Sequence, residues 1–139
     1  MTPTNLREQL QRDEGCRLKL YMDSLGHPTI GYGRALDMKG ISLAEAELML
    51  DNDILTFKSG VLAEWPWTAR LDEARQGVLH NMAFNLGIAG LGKCVKMLTA
   101  VKTGHFEIAA EEMLDSLWHQ QVGVRAERLA QQMRSGEWQ

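Results

Sequence analysis

Three residues near the start of the chain carry side chains that could catalyse hydrolysis, and they fall within a stretch of sixteen residues. Glu14 lies at the end of a predicted helix, Asp23 follows a predicted strand, and Thr29 begins the next strand. A hairpin folded back on the helix could bring two carboxyl groups and a hydroxyl to one edge of a cleft. There, one carboxyl could act as an acid while the other holds a water. The chain has 18 acidic residues, so the spacing alone also fits solvated surface charge.

The cysteines give little support for other chemistry. Cys16 and Cys94 are the only two in the sequence, with no CxxC pattern and no histidine nearby at metal-ligand spacing. A metal site and a disulfide framework both lack the residues they need. We therefore expect two reduced thiols, no metal and no cofactor.

Composition limits the class of protein. The 139 residues include 15 Lys and Arg against 18 Asp and Glu, a net charge of −3, and 45% are hydrophobic. These values are typical of one globular domain. The acidic balance argues against a nucleic-acid partner, because each phosphate contact needs a cationic side chain. The apolar stretches are far shorter than the roughly 20 residues that cross a bilayer. We expect no signal peptide, no anchor and no stable membrane association.

The N-terminal third contains the only strand patterns. An N-cap at Thr2 and a stop at Gly15 predict a first helix. Alternating apolar and polar residues predict a strand over 18–22, and a second short strand follows over 29–32. Glycines in and just after the second strand leave room for close backbone approach.

The rest of the chain has helical periodicity. Ser42 and Glu45 form a capping-box pattern at the start of a helix over 42–57, and a connection over 60–69 buries two indoles. The later helices are predicted over 72–87 with Asp72 as N-cap, 94–101, 106–117 and 123–133. The pattern predicts an α+β fold with one small hairpin lobe. Such a sheet is too small to stand alone, so it should lean on the helices and leave a crevice.

The residues around the three candidates resemble the active-site signature of the phage-type lysozymes, or endolysins. Glu14 is followed after eight residues by Asp23 and after five more by Thr29, and Ile-Gly-x-Gly comes next. Further matching motifs are Asn81-Met82-Ala83-Phe84-Asn85-Leu86-Gly87, Ser116-Leu117-Trp118, Arg125-Ala126-Glu127-Arg128 and Arg134-Ser135-Gly136-Glu137-Trp138. Motifs from both halves occur in order, so the resemblance spans nearly the whole chain.

The resemblance implies a lysozyme-like two-lobed fold with the active-site cleft between the lobes. The small lobe and connecting helix would be 13–58, and the helical lobe would be 1–12 with 59–139. It also implies hydrolysis of the β-1,4 bond between N-acetylmuramic acid and N-acetylglucosamine in peptidoglycan, for host cell lysis. The partner would be the glycan strands of the cell wall.

The same resemblance implies a role for each catalytic candidate. Glu14 would donate a proton to the glycosidic oxygen. Asp23, ionised, would orient a water together with the Thr29 hydroxyl, and the anomeric configuration would be inverted. Inversion leaves room for that water, so the carboxyl groups should lie about 6.5 to 9.5 Å apart. Without such a role, Thr29 is an ordinary strand residue.

Positions implied to contact the glycan are Ala35, Phe84, Cys94 and Glu112. Ala35 would contribute mainly its backbone, and Cys94 and Glu112 differ from the residue types that the family pattern predicts there. An aromatic residue such as Phe84, on a strongly apolar helix, could equally be plain core.

Two arginines are implied to support the site. Arg125 matches a position whose guanidinium approaches the catalytic glutamate, although it could instead pair with Glu127 or Glu111 on the surface. Arg34 replaces a histidine that often follows the Gly-x-Gly motif, and we expect it to pair with Asp53. Arginine stays charged at all working pH values, so this pair would not titrate as a histidine pair does.

Two alternatives stay open at this point. A lytic transglycosylase cleaves the same bond but closes a 1,6-anhydro ring instead of using water, and a wall-binding domain on this scaffold would cleave nothing.

The segment 34–42 is shorter than in better-known members of the family, so the cleft should have a shorter lip. For the endolysin, we expect a monomer that stays in the host cytoplasm until a holin opens the membrane, and that then acts on the cell wall.

Overall fold

A computed structural model describes residues 2–139, which form one helix, three short strands and then a mainly helical remainder. The chain divides into two compact units, the first ending at Leu48 and the second spanning Met49–Gln139. The predicted α+β class is confirmed. The predicted lobe boundaries, 13–58 against 1–12 with 59–139, stay a prediction.

The first unit is built around a small antiparallel sheet. Its elements are α1 (Leu6–Glu14), β1 (Arg17–Met22), β2 (Pro28–Gly31), β3 (Arg34–Ala35) and α2 (Leu36–Lys39). The strand order is β1-β2-β3, with Thr29 on β2 opposite Tyr21 on β1 and Ala35 on β3. The predicted hairpin is present. The sequence did not predict β3 and α2, because two and four residues are too short to show a period.

Helix α1 begins later than the predicted cap at Thr2. The N-cap is Asn5, whose Oδ1 accepts a hydrogen bond from the Glu8 backbone N–H at 2.9 Å. The Glu8 carboxylate in turn accepts from the Thr4 backbone N–H at 2.7 Å. These two local bonds satisfy the end amides, so the helix starts after Asn5.

The apolar side chains of β1 lie at the surface. Leu18, Leu20 and Met22 alternate as predicted, but they are 85%, 59% and 62% exposed. The pattern therefore predicted the strand correctly, whereas the burial expected for its apolar face is absent among the described residues.

Helix α3 (Leu43–Glu64) leads into the second unit and confirms the predicted capping box. The Ser42 Oγ accepts from the Glu45 backbone N–H at 3.1 Å, and the Glu45 carboxylate accepts from the Ser42 backbone N–H at 2.9 Å. The predicted end near residue 57 is wrong. A Cβ on Gly60 would lie 3.0 Å from Cδ1 of Ile88, so this glycine lies within the helix where another segment approaches closely.

The second unit is a helical cluster. After a 3-10 helix (Pro66–Arg70), it contains α4 (Glu73–Gly92), α5 (Val95–Lys102), α6 (Phe106–Leu114), α7 (Leu117–Val122) and α8 (Val124–Ser135). Its largest fully buried side chains are Val61, Val78, Leu79, Met82, Leu91, Val101, Met113 and Met133. Helix α8 packs against α4, α6 and α7.

Two predicted helix boundaries in this unit need correction. Helix α4 has the predicted N-cap, since Asp72 accepts from the Arg75 backbone N–H at 3.1 Å, but it continues past Gly87 through a kink with φ of 77°. The predicted helix over 106–117 is two helices, because Ser116 caps the start of α7.

No single helix within residues 2–139 is long and apolar enough to span a membrane. Helices α4 and α5 reach the required length and hydropathy only when taken together, and they are bent by 104° relative to each other.

Candidate active site

Glu14 is the last residue of α1 and is exposed. Gly15 ends the helix with φ of 66° and donates its backbone N–H to the Gln11 carbonyl at 3.1 Å. This glycine turns the chain from the helix into β1. The candidate acid therefore lies at the junction of two elements, as the sequence predicted.

The Glu14 carboxyl group lies against the backbone of Gly33. A Cβ added to Gly33 would lie 2.5 Å from Oε2 of Glu14, and Gly33 also has φ of +72°. The close backbone approach that the sequence predicted is therefore present at Gly33. At Gly31, a Cβ would meet nothing within 4 Å, so no close approach requires a glycine there. Its backbone has φ of +69°, a conformation that glycine adopts more readily than other residues.

Asp23 is held by the backbone of the turn that it begins. Its Oδ1 accepts from the Leu25 N–H at 2.9 Å and from the His27 N–H at 2.8 Å. The His27 N–H lowers the pKa of the Asp23 carboxyl most, with the Leu25 and Gly26 amides and the His27 charge adding to the effect and burial opposing it. Asp23 is thus favoured as a carboxylate. Both of these bonds end on Oδ1, so neither of them occupies Oδ2.

Thr29 is buried in β2, with 3% of its surface exposed. Its Oγ1 donates to the carbonyl oxygen of His27 at 2.8 Å. Because the hydroxyl proton is used in this bond, the oxygen lone pairs stay available to accept a hydrogen bond. Asp23 and Thr29 therefore meet on the same residue, His27.

The sequence reasoning missed His27 and Asp37. The His27 Nδ1 lies 2.9 Å from Oδ2 of Asp37, on the first turn of α2. Hydrogen bonding to Asp37 and its charge raise the pKa of His27, with a smaller contribution from Asp23. The contact depends on α2, a helix without a sequence signal, so periodicity could not reveal it.

The prediction that Arg34 pairs with Asp53 is wrong. The guanidinium Nη1 lies 2.5 Å from Oε1 of Glu45, not against Asp53, and it also donates to the Gly40 carbonyl at 3.4 Å. Glu45 is the acidic member of the capping box, so one carboxylate serves both the helix end and the arginine. This pair lowers the pKa of Glu45 to about 2, with the Ser42 amide contributing further.

Arg125 has neither of the surface partners considered from the sequence. Its Nε and Nη2 both donate to Oδ1 of Asn81, at 3.0 Å and 2.7 Å. Glu127 instead lies 3.4 Å from Nε2 of His119. The approach of Arg125 to Glu14 stays a prediction.

The structure places the predicted glycan contacts in three different surroundings. Cys94 and Glu112 line one cavity of about 360 Å³ in the second unit, together with Lys93, Lys96 and Asp115, which the sequence reasoning did not single out. Phe84 is 42% exposed and lines another cavity, of about 450 Å³, so the plain-core alternative is wrong. Its ring centroid lies 5.4 Å from that of Phe57. Ala35 lies on β3 of the first unit.

Neither cysteine is in a disulfide, and Cys94 is half-buried. Burial raises the pKa of the Cys94 thiol, which favours its neutral form. Within residues 2–139, no group of three or more His, Cys, Asp or Glu side chains is arranged to hold a metal.

Comparison with known proteins identifies the family. Residues 11–135 match the phage lysozyme family, and the chain belongs to it. The chain is 33% identical to the pre-baseplate central spike protein Gp5 of Enterobacteria phage T4, over 90% of this chain and 27% of that protein. It is 24% and 22% identical to probable T4-type lysozymes 2 and 1 of Dictyostelium discoideum, in each case over 96% of this chain and 95% of the relative. The chain thus spans about a quarter of the spike protein's length and nearly all of the two lysozymes.

Proposed function

We propose that this chain is an endolysin that hydrolyses the β-1,4 bond between N-acetylmuramic acid and N-acetylglucosamine in bacterial peptidoglycan, by an inverting acid/base mechanism. The observation that supports it most is the arrangement of Asp23 and Thr29. A favoured carboxylate and a hydroxyl oxygen with available lone pairs are bonded to one residue, His27. This combination suits the binding and deprotonation of a water.

In the proposed reaction, the carboxylic acid of Glu14 gives its proton to the glycosidic oxygen as the bond to the anomeric carbon breaks. A water held by Asp23 and Thr29 forms the new bond to that carbon, from the opposite face. The water's proton passes to the Asp23 carboxylate, most directly to Oδ2. After release of the products, Asp23 returns its proton to solvent and Glu14 takes one up.

Mass spectrometry of the products tests this proposal against a transglycosylase. The wild-type chain is incubated with purified peptidoglycan, and the masses of the released muropeptides are measured. Hydrolysis adds one water to each cleaved bond, whereas 1,6-anhydro products are lighter by that water. Anhydro products would overturn the proposed mechanism, and intact strands would overturn the enzymatic proposal altogether and favour a wall-binding domain.

The remaining elements of the proposal concern context. Peptidoglycan glycan strands are the proposed substrate, with Ala35, Phe84, Cys94 and Glu112 as proposed contacts. The proposed endolysin is a monomer without a cofactor, a nucleic-acid partner or a stable membrane association. It depends on a holin to pass from the host cytoplasm to the cell wall.

The similarity to a spike protein favours a second candidate for the biological role. Identity to that protein is 33%, against 24% and 22% for the two T4-type lysozymes. The same muramidase activity could therefore belong to a component of a phage particle instead of a lysis enzyme. Immunodetection in purified particles of the encoding phage separates the roles, since an endolysin would be found in the lysate and be absent from washed particles.

A further inference from the structure

The His27 side chain has no role in the mechanism above, yet its main chain holds both members of the water-binding pair. The His27 N–H donates to Oδ1 of Asp23 at 2.8 Å. The His27 carbonyl accepts from Oγ1 of Thr29 at 2.8 Å and from the Asp23 backbone N–H at 2.9 Å. A displacement of residue 27 would therefore move the Asp23 carboxylate relative to Thr29, which is buried and paired within the sheet.

The imidazole ties this turn to α2. Nδ1 of His27 lies 2.9 Å from Oδ2 of Asp37, and both side chains are partly exposed. Helix α2 packs against β2 and β3. The Gly40 carbonyl, just after α2, accepts from Arg34, which is itself paired with Glu45. Asp37 thus stands on an element that is fixed to the sheet.

The turn has few other constraints. Asp23 to His27 is closed by main-chain and Asx-type hydrogen bonds within itself, and Leu25 at its tip is exposed. The Met22–Pro28 pair of β1 and β2 fixes the base of the turn, whereas the bonds within Asp23–His27 preserve only its shape. The contact from His27 to Asp37 supplies a connection to a neighbouring element.

We propose that His27 and Asp37 form a positioning pair that holds the turn, and with it the Asp23 carboxylate, in place beside Thr29 of β2. This inference rests on the proposed function, because the water site belongs to that mechanism. The proposed role of the pair is exerted through the turn, by way of the His27 main chain. A surface ion pair without this role would affect stability alone.

Steady-state kinetics on soluble glycan fragments of peptidoglycan provide the first test. His27→Ala and Asp37→Ala should each lower kcat by about tenfold, the range expected for a small misplacement of reacting groups, with KM nearly unchanged. The double variant should be no worse than either single one, because both changes remove one contact. His27→Asn can place an amide N–H near the position of Nδ1, so it should recover most of the lost kcat.

The matched control is His105→Ala. His105 is an exposed histidine of the second unit, and its Nδ1 lies 2.8 Å from Oγ1 of Thr103. This variant loses the same side chain and a side-chain contact of similar length. Its kcat should equal that of the wild type, and the melting temperatures of all the variants should remain close to one another.

A second measurement does not depend on activity. The ¹³C chemical shift of the Asp23 carboxyl group is followed against pH by NMR in the wild type, in Asp37→Ala and in His105→Ala. Asp37→Ala removes the positioning contact but keeps the His27 charge, which itself lowers the pKa of Asp23. Loss of the positioning contact should loosen the His27 N–H bond and raise the Asp23 titration midpoint in Asp37→Ala but not in His105→Ala. Removal of the Asp37 negative charge would by itself shift the midpoint the other way, so a rise reports the loosened bond.

The two tests separate the positioning inference from the proposed function. If the wild type releases no sugar, the proposed function fails, while the NMR titration still decides whether His27 positions Asp23. An unmoved or lowered Asp23 midpoint in Asp37→Ala would overturn the positioning pair. For an active wild type, an unchanged kcat in His27→Ala or additive losses in the double variant would also overturn it.

Discussion

Oε2 of Glu14 would lie 2.5 Å from a Cβ on Gly33, so the glutamate occupies space that a side chain at residue 33 would need. The second glycine of the Ile-Gly-x-Gly motif therefore has two functions. It permits φ of +72° in the turn between β2 and β3. Because it has no side chain, it also leaves space for the carboxyl group of Glu14.

Gly33→Ala should lower wall hydrolysis by about 100-fold, because the new methyl group displaces the Glu14 carboxyl group. Replacement at positive φ should also cost about 1 kcal/mol of folding free energy. Gly104→Ala is the matched control, since it has φ of +77° but nothing within 4 Å of the added Cβ. Both variants should unfold at similarly reduced urea concentrations, whereas only Gly33→Ala should lose activity. Equal activity in the two would contradict this interpretation.

Glu14→Gln should reduce hydrolysis by about 10²- to 10⁴-fold, because the amide keeps the shape of the side chain but cannot donate the proton. Asp13→Asn is the neighbouring control. Asp13 is exposed and paired with Arg12 at 2.9 Å, and its amide variant should clear cell walls at nearly the wild-type rate. The measurement is the loss of turbidity of a cell-wall suspension, with circular dichroism to confirm folding. If Glu14→Gln cleared cell walls at the wild-type rate, Glu14 could not be the general acid.

Substitutions of Asp23 and Thr29 should reduce activity non-additively, because the proposed mechanism assigns both side chains to one water. Thr29→Ala should reduce turnover strongly in the wild type and little in a chain that already carries Asp23→Ala. A double-mutant cycle on the hydrolysis rate measures this coupling. Additive losses of activity would indicate that Thr29 is only a strand residue and does not bind the water.

The stereochemistry of the product tests the same water independently. NMR of freshly released sugars, recorded before mutarotation, should show the inverted α-anomer. A retained β-anomer would indicate that Asp23 acts as a covalent nucleophile.

Glu45 should make folding stability depend on pH in the acid range. Its pKa is lowered from 4.5 to about 2, by the hydrogen bond to Arg34 first and the Ser42 amide next. The folded state thus binds the proton less readily than the unfolded state, and the stabilisation is complete above pH 4.5 and lost as pH falls towards 2. Urea midpoints between pH 2 and 7 measure it. Glu45→Gln should show a flatter profile than Glu47→Gln, an exposed control on the same helix, and identical profiles would contradict the assignment.

Local patterns in the sequence predicted the structure where the contacts are themselves local. The Ser42 and Glu45 capping box joins residues three apart, and the Asp72 cap likewise reaches Arg75. Such contacts depend on helix geometry alone, so spacing in the sequence is sufficient to predict them. The positions of the three catalytic candidates in the fold were predictable for a related reason, since each lies at the end of an element or in the hairpin, while their catalytic roles stay a prediction.

Contacts that depend on the path of the chain could not be predicted. The sequence paired Arg34 with Asp53, but the short helix α2 and the turn at Gly40 place Glu45 at the guanidinium instead. The contact between His27 and Asp37 depends on the same unpredicted helix. Cys94 and Glu112 were proposed from the resemblance, and only the packing of the second unit shows that they line one cavity with two lysines.

Strand β1 lies at an edge of the sheet, with β2 as its paired neighbour, and its apolar side chains are exposed. An unpaired strand edge next to Leu18 and Leu20 is a template for pairing with another chain. Lys19, between these leucines in the sequence, carries a charge that any added strand would have to accommodate. The charge opposes fibre growth, as lysines on natural edge strands do. Lys19→Val should therefore increase light scattering at high protein concentration without lowering the melting temperature.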